Sequence, residues 1–184
     1  MRYPNLGEEM DRKIREPLMD LIKKLPESVY IRHIGSMVSR GKFDSVRITV
    51  FVPKRENLSK TLEKIGWNGD ISALWKDIEP LHKKDYISFY FDLGEDGISD
   101  KIGVEISFVG SQVAIIDKCI TELEQKGLCL KSKGDAIRSW IRIPHDEDPR
   151  IITSLEHFKL NFFGEHIIEA KAYLQQRPYI NSKK

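Results

Sequence analysis

At 184 residues, with 40% hydrophobic and 32% charged side chains, the chain has an ordinary globular composition and is long enough to bury a substantial core. A formal net charge of +2 gives no global argument for binding nucleic acid or an anionic membrane. No apolar run approaches the ~20 residues needed to span a bilayer, and the opening MRYPNLGEEMDRK is too acidic and polar for a signal peptide, so the expected location is the cytoplasm. Cys119 and Cys129 lack metal-ligand spacing and read as reduced, partly buried thiols.

In chain order, residues 8–25 read as a helix, with Met10, Ile14, Leu18, Leu21, Ile22 and Leu25 on one stripe. Pro17 interrupts it, which predicts either a kink or a second helix starting there. Residues 28–34 and 46–52 read as a strand pair, with Val46, Ile48, Val50 and Val52 facing a core and Arg47, Thr49 and Phe51 facing away. In the earlier strand Arg32 falls on the face opposite Val29, Ile31 and His33, so His33 reads as a packed histidine. Arg40-Gly41-Lys42 marks a turn between the two. A short helix follows over 56–65, closed by Gly66, and another begins at an Asp70 cap with Ile71, Leu74, Trp75 and Ile78 inward.

The stretch 86–110, YISFYFDLGEDGISDKIGVEISFVG, reads as a hairpin. Ile87, Phe89, Phe91 and Leu93 alternate with Tyr86, Ser88, Tyr90 and Asp92, and Val104, Ile106 and Phe108 alternate with Glu105 and Ser107. Ser111 can cap the next helix, whose stripe is Val113, Ile116, Cys119, Ile120 and Leu123, with Gly127 as its terminator. Residues 133–141 form a further short helix or turn, and 144–149 (PHDEDP) a polar loop in which His145 sits among carboxylates. Residues 157–163 and 167–174 read as the last strand pair, followed by a polar tail, QQRPYINSKK.

Helix and strand pair thus recur about every 60 residues, without residue-level identity between the repeats. The expected fold is one α+β domain over 1–184: an antiparallel sheet with helices on one face and a polar opposite face, as an open half-barrel or a small barrel.

The polar face supplies the candidate ligand-binding residues Arg32, Arg47, Tyr90, Asp92, Glu105, His157, Lys159, Lys171 and Tyr173. It reads either as a solvated sheet face or as a pocket lined with polar groups, the tyrosines offering contact area with a polar tip. If the last hairpin turns at Gly164-Glu165-His166, Lys159 faces Lys171 and His157 faces Tyr173, an arrangement that invites an anion; a register shifted by two pairs the lysines elsewhere. In the central hairpin one register puts Asp92 opposite Glu105, a pair that would share a proton, bind a divalent cation or reach for lysines. There is no P-loop, dinucleotide fingerprint, HExxH or GxSxG, so no catalytic residue, cofactor or metal ligand is assigned.

The repeated helix–strand–strand plan resembles the αββα barrels of aromatic and peptide prenyltransferases, which keep Lys, Arg and Tyr inside to hold an allylic diphosphate. The resemblance would give that role to Arg47, Tyr90, Lys159, Lys171 and Tyr173, although the family uses about ten strands and only six are expected here. RHIG…SRG, KIGVE and EAKAYL also resemble segments of uncharacterised bacterial proteins associated with natural-product peptide gene clusters. The expected function is therefore a binder of a small molecule or peptide, accessory to a biosynthetic enzyme. The alternatives are a small prenyltransferase-like transferase and a structural module that forms a homodimer through an edge strand.

Overall fold

The computed structural model describes residues 6–36, 45–108, 112–142 and 151–178. The expected Arg40-Gly41-Lys42 turn, the Ser111 cap and the acidic loop with His145 lie outside the described residues. The elements are α1 (Leu6–Lys24), β1 (Tyr30–Ser36), β2 (Ser45–Val52), α2 (Leu58–Ile65), α3 (Ile71–Ile78), β3 (Ile87–Gly94), β4 (Gly97–Ser107), α4 (Val113–Gln125), α5 (Lys131–Ile141), β5 (Ile151–Phe163) and β6 (His166–Pro178). Helices followed by a hairpin therefore occur three times. The strands form one six-stranded antiparallel sheet in the order β1-β2-β3-β4-β5-β6, which is not closed into a barrel. The chain gathers into two compact units, Met1–Val104 with Asn161–Ile167, and Glu105–Leu160 with Ile168–Lys184.

In the first unit α1 runs unbroken through Pro17. It packs on β2, β3 and α2 and buries Ile14 and Leu21. The α2 helix stops at Gly66, whose φ of 84° is left-handed; Gly66 N–H donates to Glu63 C=O at 3.0 Å and Trp67 N–H to Leu62 C=O at 3.0 Å. This double closure of the last turn is what the glycine makes possible. The Asp70 carboxylate accepts from Ala73 N–H at 2.9 Å and so starts α3 as expected. Along β2, buried Val46, Ile48, Val50 and Val52 alternate with half-buried neighbours. Across the pair with β3, Ile48 meets Phe91 and Val50 meets Phe89 on the apolar face, while Arg47 meets Asp92 and Thr49 meets Tyr90 on the other.

The edge strand β1 departs from its sequence parity. Ile31 pairs with Val50 but His33 pairs with Thr49, with a register shift between them at Arg32. An extra residue on one strand turns the following side chains to the other face. His33 is consequently exposed rather than packed, and Arg32 is exposed in the irregularity instead of belonging to a regular polar face.

In the second unit α4 buries Ile116, Cys119, Ile120 and Leu123. It ends as α2 does: Gly127 has a φ of 70°, its N–H donates to Glu124 C=O at 3.0 Å, and Leu128 N–H donates to Leu123 C=O at 2.8 Å. The α4 and α5 helices pack together, with Gly134 and Ile137 buried on α5. Phe108 and Phe158 meet edge-to-face at 5.5 Å. β5 starts earlier than its sequence pattern indicates, and β6 continues to Pro178, so residues 175–178 belong to the strand rather than to a frayed tail. β6 is the last strand of the sheet, and its Ile168, Tyr173 and Leu174 are exposed.

Candidate functional site

The polar face carries two clusters, one in each unit. In the first unit the Arg47 guanidinium grips the Asp92 carboxylate with two parallel hydrogen bonds, Nε to Oδ1 at 2.8 Å and Nη2 to Oδ2 at 3.1 Å. Their pairing follows directly from the β2–β3 register. The same guanidinium lies over the Tyr90 ring, 4.7 Å from its centroid. The Tyr90 hydroxyl donates to the Asn161 side-chain oxygen, and both residues are buried, at 5% and 2% exposure. A Cβ on Gly103 would fall inside the Tyr90 ring, so the ring lies flush on bare backbone there.

This arrangement corrects two expectations. Tyr90 keeps the polar parity expected of it, but it is buried beneath Arg47 rather than open to a ligand. Asp92 does not face Glu105: the hairpin turns at Glu95-Asp96, and the Asp92 main-chain N–H meets the Ser99 hydroxyl at 3.3 Å. Asp92 and Glu105 each pair with a cation instead.

In the second unit Lys159 Nζ lies 3.0 Å from the Glu105 carboxylate and 5.0 Å from the centre of the Tyr173 ring. The His157 ring stacks on Tyr173, with centroids 4.4 Å apart and planes 17° apart, although the turn is Gly164-Glu165, with His166 already in β6, rather than the expected Gly164-Glu165-His166. His157 Nδ1 is 3.8 Å from the exposed Glu156 carboxylate. Lys171 pairs with Glu169 on its own strand at 3.0 Å. The two lysines that would invite an anion thus each have a carboxylate beside them. Of the nine candidates, Arg47, Tyr90 and Asp92 meet in one cluster, Glu105, His157, Lys159 and Tyr173 meet in the other, Lys171 pairs locally, and Arg32 lies on the β1 edge.

Sequence reasoning did not name Asn161 or Gly103 among the candidate site residues. Asn161 shares the polar parity of β5, which was the available signal. The role of Gly103 depends on which strand lies beside Tyr90, and parity does not give that.

The second unit also contains a groove of about 430 Å³ lined chiefly by Leu123, Cys129, Ile137, Phe158, Ala170 and Tyr173. Alanines at 170 and 172 on β6 leave the space that larger side chains would fill. The first unit has a more polar cleft of about 540 Å³ between α1 and the β3–β4 turn, where Lys13 reaches Glu95 at 3.6 Å. Neither thiol is set up as a nucleophile. Burial pushes Cys119 up to about 12, and burial followed by the Glu124 charge raises Cys129. Among the described residues no group of three or more His, Cys, Asp or Glu could hold a metal ion, and no helix is long and apolar enough to cross a membrane.

No family model, curated protein or solved structure matches the chain.

Proposed function

We propose that the protein binds a small molecule or peptide through the Tyr173 side of its sheet, where a stacked aromatic pair adjoins an ion pair. The observation that carries this reading is the position of Tyr173. It stacks on His157, lies beside Lys159, and borders the 430 Å³ groove while remaining 38% exposed. An accessible flat ring backed by a second ring is already held in place to receive a planar group. Glu105 and Lys159 would orient the polar end of such a ligand, with both signs of charge available. A setting beside a biosynthetic enzyme is what the sequence resemblance implies.

An allylic diphosphate held by Arg47, Lys159 and Lys171 is the weaker reading. Each of these cations lies within 2.8–3.0 Å of a carboxylate, which a diphosphate would have to displace against like-charge repulsion.

A thermal-shift titration tests both readings, using N-acetyltryptophanamide and indole-3-carboxylate as planar probes and pyrophosphate and geranyl diphosphate as anionic ones. A ligand at about a hundred times its Kd adds about 2.7 kcal/mol, or roughly 5–10 °C in Tm for a chain of this length. A shift with a planar probe that Tyr173→Ala abolishes supports the reading. A shift that survives Tyr173→Ala, or none with any probe, overturns it. A shift with the diphosphates that Lys159→Ala removes transfers the assignment to the transferase.

A further inference from the structure

We infer that β6 is an interface for a second copy of this chain, with the two β6 strands pairing antiparallel about a two-fold axis at Ala170. β6 is the terminal strand of the sheet and is 13 residues long. Residues 171–174 are exposed, and Ile168 is 51% exposed. A long free edge with unpaired main-chain groups is a template for another strand. The opposite edge is different: β1 has seven residues and a register shift at Arg32, and such irregularities twist an edge away from pairing.

The order of charges on β6 identifies the occupant. A two-fold axis normal to the sheet keeps each face continuous across the joint, so facing residues must have the same parity. With the axis at Ala170, Glu169 faces Lys171 of the partner subunit and Lys171 faces Glu169 of the partner subunit. Two opposite-charge pairs form on the polar face. On the other face the exposed Ile168 meets Ala172 of the partner subunit, large against small. Moving the axis to Lys171 puts lysine opposite lysine, and moving it to Glu169 puts glutamate opposite glutamate, both destabilising. Glu169 and Lys171 already pair within the strand at 3.0 Å, with side chains 40% and 47% exposed, so they lie on one face and can re-pair without desolvating a buried charge. An unrelated peptide strand would use the same main-chain groups but has no reason to match this self-complementary order.

Sedimentation equilibrium of the full chain from micromolar to millimolar concentration, at low salt, tests the inference. The wild type is expected to be a dimer. K171E places glutamate opposite glutamate twice and is expected to weaken the dimer about tenfold or more. The double exchange E169K/K171E restores the complementary order with reversed signs and is expected to recover the dimer. Ala170→Cys, in a Cys129→Ser background, is expected to form a covalent dimer through residue 170 on mild oxidation. A wild type that stays monomeric throughout, a dimer indifferent to K171E, or a double exchange that fails to rescue would each overturn the assignment.

Discussion

Replacing Gly103 with alanine adds a single methyl group, yet it tests the packing of the first polar cluster. The new Cβ would overlap the Tyr90 ring, which is buried and cannot swing into solvent without leaving its site. Forcing a methyl into a filled site costs about 1–3 kcal/mol. Moving the ring also pulls the phenol from the buried Asn161 side chain, a loss of about 1–3 kcal/mol. The expected destabilisation is therefore about 2–6 kcal/mol, which lowers a urea midpoint by roughly 1–3 M. The context reverses in Tyr90→Ala. With the ring gone the methyl has room, and alanine is better than glycine in a strand by about 0.5–1 kcal/mol, so Gly103→Ala should become neutral or mildly stabilising there. A double-mutant cycle by urea unfolding, read from the fluorescence of the three tryptophans, measures the coupling. Equal costs of Gly103→Ala in both backgrounds would refute the argument, because the penalty would then come from the backbone and not from the ring.

Gly134→Ala meets a comparable obstacle at the α4–α5 contact, where its Cβ would overlap the Glu124 carboxylate and come within 2.9 Å of Ile120 Cγ2. It should displace the Glu124–Arg138 pair, now held at 2.8 Å, but the flexible carboxylate can give way and alanine gains about 1 kcal/mol over glycine in a helix, so the net change by urea unfolding should stay within about 1 kcal/mol. Arg47→Lys keeps the charge but cannot reproduce the two-bond grip on Asp92, and should cost about 1–2 kcal/mol in the same assay. The His82 ring is buried, with Nε2 at 2.6 Å from Tyr86 C=O, and its pKa is lowered from 6.5 chiefly by burial, with Arg55, Lys84 and Lys83 adding to the effect. The unfolded chain binds the proton first, so the contribution of the neutral ring is complete above pH 6.5 and is lost as pH falls toward the folded value. The slope is at most about 1.4 kcal/mol per pH unit, and His82→Gln should flatten that part of the stability–pH curve. An unchanged slope in the variant would assign the acid sensitivity to other groups.

Periodicity made most of the fold legible. The apolar residues of β2 and β3 alternate without interruption, and Ile48, Val50, Phe89, Phe91, Val104 and Ile106 are all buried as that alternation requires, although β3 also buries Ser88 and Tyr90 on the opposite parity. Gly66 and Gly127 end their helices because a left-handed residue closes the last turn, a local requirement visible in the sequence. β1 misleads because a bulge inserts a residue without changing composition, and parity counted across Arg32 assigns His33 to the wrong face. Pro17 does not start a second helix. One proline in an amphipathic helix of 19 residues removes a hydrogen bond, but the packing of Ile14 and Leu21 on either side keeps the helix in one piece.

The polar face was legible as a face but not as a set of pairs. Parity places Arg47, Asp92, Glu105 and Lys159 on it; only strand order tells which charge meets which. In a meander the neighbours in sequence are neighbours in space, so β2 gives Arg47 to Asp92 on β3, and β4 gives Glu105 to Lys159 on β5. Once that order is known, cations that resemble an anion site when counted singly become members of neutral pairs. A pair of this kind still orients a ligand, but it no longer selects one by net charge. Selectivity then has to come from shape and stacking, and on this face the exposed group that offers both is Tyr173, flat against His157. For that reason Tyr173→Ala discriminates between the functional readings more sharply than removal of any one charge.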